Sequence, residues 1–237
     1  MTPFDQREAT CRCEWGARGV EALAPADVTI VVDVLSFSTC VDVAVARGAT
    51  ILPHRFKDAS AAELARDERA ELAGERRSAR YSLSPASFLD APAALRCVLP
   101  SPNGADVALR LGPTAGLILT GCLRNASAVA DAARAAGRTF CVVPAGERWP
   151  DGSLRFAVED WLGAGAILRA LPASRSPEAA SAVAAFEAAR AVLADTLARS
   201  SSGRELIERG FASDVDLAAA LDVSDTVPRF EGRAFHG

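Results

Sequence analysis

The sequence predicts an α/β fold with three layers, in which helices cover both faces of a mostly parallel or mixed sheet. Three observations predict it. Short apolar runs recur at 28–32, 49–54, 95–99, 115–120 and 139–143, the first of them rich in β-branched residues, each the length of a buried strand. Patterns of Ala, Val and Leu at helical spacing stand between and after these runs, and such alternation implies parallel strands joined by crossover helices. Nearly every run ends in a turn carrying Ser, Asn, Gly or Pro. The 237 residues suit a single domain, 1–237, whose part from about 175 to 225 is helical.

In chain order, Arg12, Glu14, Trp15 and Gly16 suggest a first strand at the sheet edge. VTIVV at 28–32 is a buried strand that ends on Asp33. A polar loop with Ser36, Ser38 and Thr39 leads into a helix, for which Ser38 is the expected N-cap and Gly48 the stop. Asp58 caps a charged helix that is expected to run to Leu72 and end at Gly74. Residues 74–90 read as a loop longer than a connector requires. A strand at 95–99 runs into Pro100, Ser101, Pro102, Asn103 and Gly104, and a short helix follows. The strand at 115–120 leads to Arg124–Asn125 and an Ala-rich helix closed by Gly137. After the strand at 139–143, a helix begins near Phe156 with Glu159 and Asp160 in its first turn. Residues 177–199 read as one Ala-rich helix with an apolar stripe. Two short helices follow, around 204–209 and 214–221, and the chain ends in an expected edge strand. The segment from Val31 to Pro53 echoes that from Leu117 to Pro144, with Leu35 aligned to Leu123 and Ala44 to Ala132. An internal duplication of a βαβ unit and a chance likeness between two such units both explain it.

Half the residues are hydrophobic and the net charge is −4. This balance disfavours general binding to nucleic acid or an anionic membrane, and no apolar run is long enough to span a bilayer. The N-terminal stretch lacks the basic start and apolar core of a signal peptide, so a cytoplasmic location is expected. The six cysteines read as reduced, buried thiols. The lone Cys11-x-Cys13 pair has no second pair to complete a zinc site, and the two histidines, His54 and His236, are isolated. Walker A, G-x-G-x-x-G and G-x-S-x-G patterns are absent.

Chemistry is therefore left to carboxylates and to the turns at strand ends. Asp33 with Ser36, Ser38 and Thr39 is the first such turn, Asn103–Gly104 the second, Arg124–Asn125 the third and Glu159–Asp160 the fourth. Taken singly, each has an ordinary structural role, as a cap or as an acidic first turn favoured by the helix dipole. Open α/β sheets, however, bind ligands at the carboxyl edge of the strands. Helix N-termini there favour anions, and carboxylates beside them favour a bridging cation. Together the four turns could hold Mg²⁺ and a phosphoryl group.

The ordered set DVLSFST, GER, LSP, PNGA, GCLRNASAVA, AGER, VEDWLGAGAI, SSSGRELIERGF and DVSDTVP resembles the 2-phosphosulfolactate phosphatase family from about residue 28 to 230. The resemblance implies a Mg²⁺-dependent phosphatase that releases phosphate from 2-phosphosulfolactate, in some organisms a step toward coenzyme M. By position, Asp33 matches the family's strand-end Asp and Asn103–Gly104 its Asn-Gly. Asn125 matches its third-strand Asn, Glu159–Asp160 its Glu-Asp pair, and Glu75–Arg76 its Gly-Glu-Arg loop. Three turns depart from the pattern. Ser36 stands where the family has Arg, Leu83–Ser84–Pro85 lacks the Gly-Asn of its Leu-Gly-Asn-Ser-Pro, and Pro100, Ser101 and Pro102 replace threonines. Arg76, Arg77, Arg80 and Arg124 are the candidates to supply the missing guanidinium.

The resulting expectation is a phosphoric monoester hydrolase acting on a small phosphorylated anionic substrate. Asp33, Glu159 and Asp160 are its catalytic residues and Mg²⁺ ligands. Successive helical residues diverge by about 100°, so one of Glu159 and Asp160 suffices at the ion while the other positions water. Ser36, Ser38, Thr39, Glu75, Arg76, Ser84, Asn103, Gly104, Arg124 and Asn125 are expected to bind substrate, with Arg76 at its second anionic group. Two other readings stay open: a catalytically weak anion binder or sensor on the same fold, and a phosphatase for a different phosphorylated hydroxy acid. Monomer and homo-oligomer are both compatible with the Ala-rich C-terminal helix.

Overall fold

The strand–helix alternation forms as the apolar runs require. β1 (Cys11–Cys13), α1 (Gly16–Ala22), β2 (Val28–Val32), α2 (Phe37–Ala46), β3 (Thr50–His54), α3 (Ala59–Asp67) and β4 (Glu71–Leu72) come first. β5 (Arg96–Pro100), α4 (Gly104–Leu111), β6 (Leu117–Gly121), α5 (Ala126–Ala136) and β7 (Phe140–Pro144) continue the pattern. A small hairpin, β8 (Glu147–Arg148) and β9 (Leu154–Arg155), precedes α6 (Val158–Ala170). Then come α7 (Pro177–Ala189), α8 (Leu193–Arg199), α9 (Ser201–Glu208), α10 (Ala212–Ala219) and the terminal strands β10 (Arg229–Glu231) and β11 (Ala234–His236). The structure is a computed structural model, and it describes every residue except 1, 24, 112–115 and 172–173. The expected strand at 115–120 is seen from Leu117; its first residue lies outside the described residues.

Among the described residues nine strands make one mixed sheet, in the order β1-β7-β2-β6-β10-β11-β3-β5-β4. The pairs β1–β7, β7–β2, β2–β6, β3–β5 and β5–β4 are parallel. The hairpin β10–β11 runs antiparallel to β6 on one side and β3 on the other. β2 is buried along its whole length, as expected for a strand covered on both faces. One face packs α5, α6, α7 and α8 through Val129, Ala133, Ile167, Phe186 and Leu197. The other packs α2 and α4 through Phe37, Val41, Ala105 and Ala108. The two echoing segments therefore place their helices, α2 and α5, on opposite faces of the sheet.

Several boundaries differ from the sequence reading. The helix after Asp58 ends at Asp67, because Arg69 turns left-handed (φ 50°) and Glu71–Leu72 pair with β5. The Asp58 cap itself forms, accepting from Ser60 N. The helix over 177–199 is broken at 190–192, where the chain turns α8 toward α9 and α10 instead of continuing along α6. The terminal strand lies inside the sheet and not at its edge: Phe235 packs against Phe37 and Phe230, and the hairpin closes the gap between β6 and β3. β1 does lie at the edge, but of the residues expected in it only Arg12 belongs to the strand; Trp15 precedes α1 and Gly16 opens it. All six cysteines are buried and free. Among the described residues no helix is long and apolar enough to cross a membrane.

Candidate active site

Asp33 sits where β2 leaves the sheet and α2 begins. Its Oδ1 accepts from Phe37 N (3.1 Å) and its Oδ2 from Gly104 N (2.8 Å), so one carboxylate meets the amino ends of two helices. Helix N-termini offer unpaired N–H groups and a positive dipole end, which is why an acid settles there. α4 follows β5, far across the sheet from β2, yet it packs back against β2 and β3. That path carries Gly104 to Asp33. Only glycine permits the approach, since a Cβ at 104 would lie 2.6 Å from Phe37 Cδ1 and 2.7 Å from Asp33 Oδ2.

The hydroxyls of this turn brace it. Ser38 Oγ accepts from Asp33 N (2.9 Å) and shares a hydrogen bond with Thr120 Oγ1 (2.7 Å). Thr39 Oγ1 donates to Val34 O (2.7 Å). The expected N-cap at Ser38 is displaced: α2 starts at Phe37, and the Asp33 carboxylate supplies the capping acceptor. Gly48 follows the last turn with φ 83°, as a helix stop should.

Glu159 and Asp160 open α6 and are both buried. Asp160 Oδ1 accepts from Val34 N (2.7 Å) and Oδ2 from Gly146 N (2.9 Å), so it ties the α6 start to the turns after β2 and β7. Glu159, only 2% exposed, accepts no hydrogen bond and meets no cation among the described residues. Glu147, on β8, accepts from Asn103 Nδ2 (2.9 Å). The structure thus gathers Asp33, Asn103, Gly104, Glu159 and Asp160, and adds Glu147. Sequence reading assigned Glu147 no role, although it follows a Pro-Ala-Gly turn at a strand end, the same pattern that singled out the other turns.

None of these four carboxylates forms a close ion pair with a Lys or Arg among the described residues, and crowding shows in the protonation of Asp33, Glu147 and Asp160. Burial lifts the Asp33 carboxyl to about 6, against the pull of the Gly104 and Phe37 N–H groups and aided by the charge of Glu159. Burial and the neighbouring Asp33 lift Glu147 to about 7. Burial, then Asp33 and Glu159, push Asp160 well above the carboxylate range. Uncompensated buried charges are costly unless neutralised by protons or a cation.

The other expected residues face different partners. Arg124 Nε pairs with buried Asp42 (2.8 Å), and Asn125 bonds Cys122 N and Thr226 O, so this turn anchors the C-terminal segment. Arg76 lies beside Asp214 (3.4 Å) and also bonds Leu83 O. Ser84 Oγ donates to Asp214 (2.6 Å). Arg76 Nη2 also donates to Ser36 Oγ (3.0 Å), which puts a guanidinium beside position 36. Glu75 is exposed near Lys57 (3.9 Å).

Asn103 and Glu147 line a cleft of about 430 Å³ that also carries Arg18, Arg110 and Arg148. Among the described residues no three Asp, Glu, His or Cys side chains form a ready ring for a metal ion. Asp33 and Asp160 spend both oxygens on N–H groups. The chemistry of the donors nevertheless fits a hard divalent cation, because all are carboxylate oxygens and Glu159 keeps its own unshared.

A family model described as 2-phosphosulpholactate phosphatase matches residues 18–233. A probable 2-phosphosulfolactate phosphatase of Gloeobacter violaceus is 30% identical over 213 residues, 86% of this chain and 88% of that protein. The 2-phosphosulfolactate phosphatase of Methanothermobacter thermautotrophicus is 36% identical over 116 residues, 48% of this chain and 49% of its own length. A probable 2-phosphosulfolactate phosphatase of Carboxydothermus hydrogenoformans is 34% identical over 133 residues, 55% of this chain and 53% of that protein. The aligned part spans about half the length of these last two relatives.

Proposed function

The chain belongs to the 2-phosphosulpholactate phosphatase family, and from that premise we propose that it hydrolyses 2-phosphosulfolactate to sulfolactate and phosphate with Mg²⁺. The observation that carries the reading is the cluster of buried Asp33, Glu159 and Asp160 with half-buried Glu147, none of which forms a close ion pair with a Lys or Arg among the described residues. Glu159 and Asp33 would hold the cation. Asp160, occupied by two backbone N–H groups, would fix the start of α6 so that Glu159 stays aimed. A divalent cation in this setting supplies Lewis acidity toward a phosphoryl oxygen and makes a water more acidic. The N-terminus of α4 and Asn103 lend positive dipoles to the phosphoryl charge. Glu147, with its carboxyl raised to about 7, is suited to give the departing alkoxide a proton near neutral pH.

Phosphate release from 2-phosphosulfolactate, measured with Mg²⁺ and with chelator, tests this. Mg²⁺-dependent release that Asp33→Asn and Glu159→Gln abolish without unfolding supports it. Wild-type-like turnover in both variants would refute the metal assignment. A second reading, a small-anion binder of weak activity, draws on the saturated oxygens of Asp33 and Asp160. Thermal stabilisation by phosphate esters without any phosphate release would favour it. A panel of other phosphorylated hydroxy acids separates a shifted substrate from both.

A further inference from the structure

Asp106 lies in the first turn of α4, two residues beyond Gly104, and is buried. Three guanidiniums converge on it from three elements. Arg55 follows β3 and places Nε 2.6 Å from Oδ1. Arg110, one helical turn on, meets both oxygens at 3.1 Å. Arg148 on β8, next to Glu147, reaches Oδ2 at 3.3 Å. These arginines, with Phe56 and Pro102, wall a cavity of about 310 Å³, and Arg110, Arg148 and Asp106 also line the cleft that holds Asn103 and Glu147.

A structural ion-pair cluster should balance its charges, and this one does not. Three positive groups face Asp106 and, through Arg110, Glu21 at 3.2 Å, which leaves one positive charge over. Arg55, Arg110 and Arg148 are 36%, 36% and 44% exposed, and pairs that wet contribute little to stability. Among the described residues Arg55 spends only its Nε, so its two terminal NH2 groups remain for a ligand at the cavity. Guanidiniums arriving from three directions match a three-oxygen anion better than a flat carboxylate, which one planar fork already satisfies.

We infer that Arg55, Arg110 and Arg148, gathered by Asp106, bind the sulfonate of the substrate and so set its specificity. The inference rests on the proposed phosphatase reading and deepens it. The start of α4 then spans the ligand: Gly104 meets Asp33 at the phosphoryl end, and Asp106, about 3 Å further along the axis, holds the arginines at the sulfonate end. This differs from the expectation that Arg76 meets the second anionic group, because Arg76 faces Asp214 and Ser36.

The test compares kcat/KM for 2-phosphosulfolactate and for 2-phospholactate, which is the same ester with hydrogen in place of the sulfonate. In Arg55→Gln and in Arg148→Gln the ratio of the two values is expected to fall about tenfold or more. Arg55→Gln leaves Asp106 paired with Arg110 and Arg148, and its melting temperature reports whether the fold is kept. An unchanged ratio in both variants overturns the inference. If the wild-type protein releases phosphate from no ester, the phosphatase reading fails separately, and calorimetric titration with sulfolactate decides the arginine site. Binding that Arg55→Gln abolishes supports it, and no binding to the wild type overturns it.

Discussion

Gly104 N–H donates to Asp33 Oδ2 over 2.8 Å, joining two turns 71 residues apart in the chain. The contact couples the helix that begins with Gly104 to the acid that follows β2. Gly104→Ala should therefore damage both stability and site. A methyl there would have to displace Phe37 and Asp33, an overpacking cost of about 1–3 kcal/mol. Thermal melts and phosphate release should fall together; a variant as stable and active as the wild type would contradict the fit.

Glu159 and Asp160 are neighbours that should respond oppositely to neutralisation. Glu159 is buried among like charges with no hydrogen bond among the described residues, so Glu159→Gln should raise the melting temperature of the metal-free protein while lowering turnover by about 100-fold or more. Asp160 holds two backbone N–H groups. Asp160→Asn turns an NH2 toward one of them and should cost about 1–3 kcal/mol. Equal melting shifts in the two variants would argue against this division of roles.

The raised carboxyls make stability fall with rising pH. Asp33 moves from an ordinary 3.8 to about 6 and Glu147 from 4.5 to about 7, so between those values the native state binds more protons than the unfolded chain. The metal-free protein should melt on the order of 5 °C lower at pH 7.5 than at pH 5, and Mg²⁺ should recover more of the loss at the higher pH. Chelator-treated samples melted across that range check it; a flat or rising profile would count against the buried acidic cluster.

Arg124 and Asp42 form a pair in which the acid is fully buried. Arg124→Gln strands that carboxylate beside Ser224 and should cost about 3–5 kcal/mol. Chemical denaturation measures it. A large rise in KM with little loss of stability would instead return Arg124 to the substrate.

Much of the fold was legible locally. The strands at 28–32, 49–54, 95–99 and 139–143 formed within a residue or so of their apolar runs, because short apolar runs bounded by turn residues have few alternatives. Asp33, Asn103 and Glu159 stood out because they sit where strands hand over to helices. The break at 190–192 and the central place of β10–β11 were not legible. The first depends on how α8 meets α9 and α10, and the second on Phe230 and Phe235 finding Phe37 across the sheet.

By itself the sequence determined the α/β class, the buried thiols and the family, since periodicity, composition and motif order are properties of neighbouring residues. Tertiary structure alone decided which charged side chains share a neighbourhood. It set Glu147 beside Asn103, turned Arg124 onto Asp42 and drew Arg55, Arg110 and Arg148 around Asp106. Electrostatic energy depends on distances through space, and the chain order of Arg55 and Arg148 carries no measure of theirs.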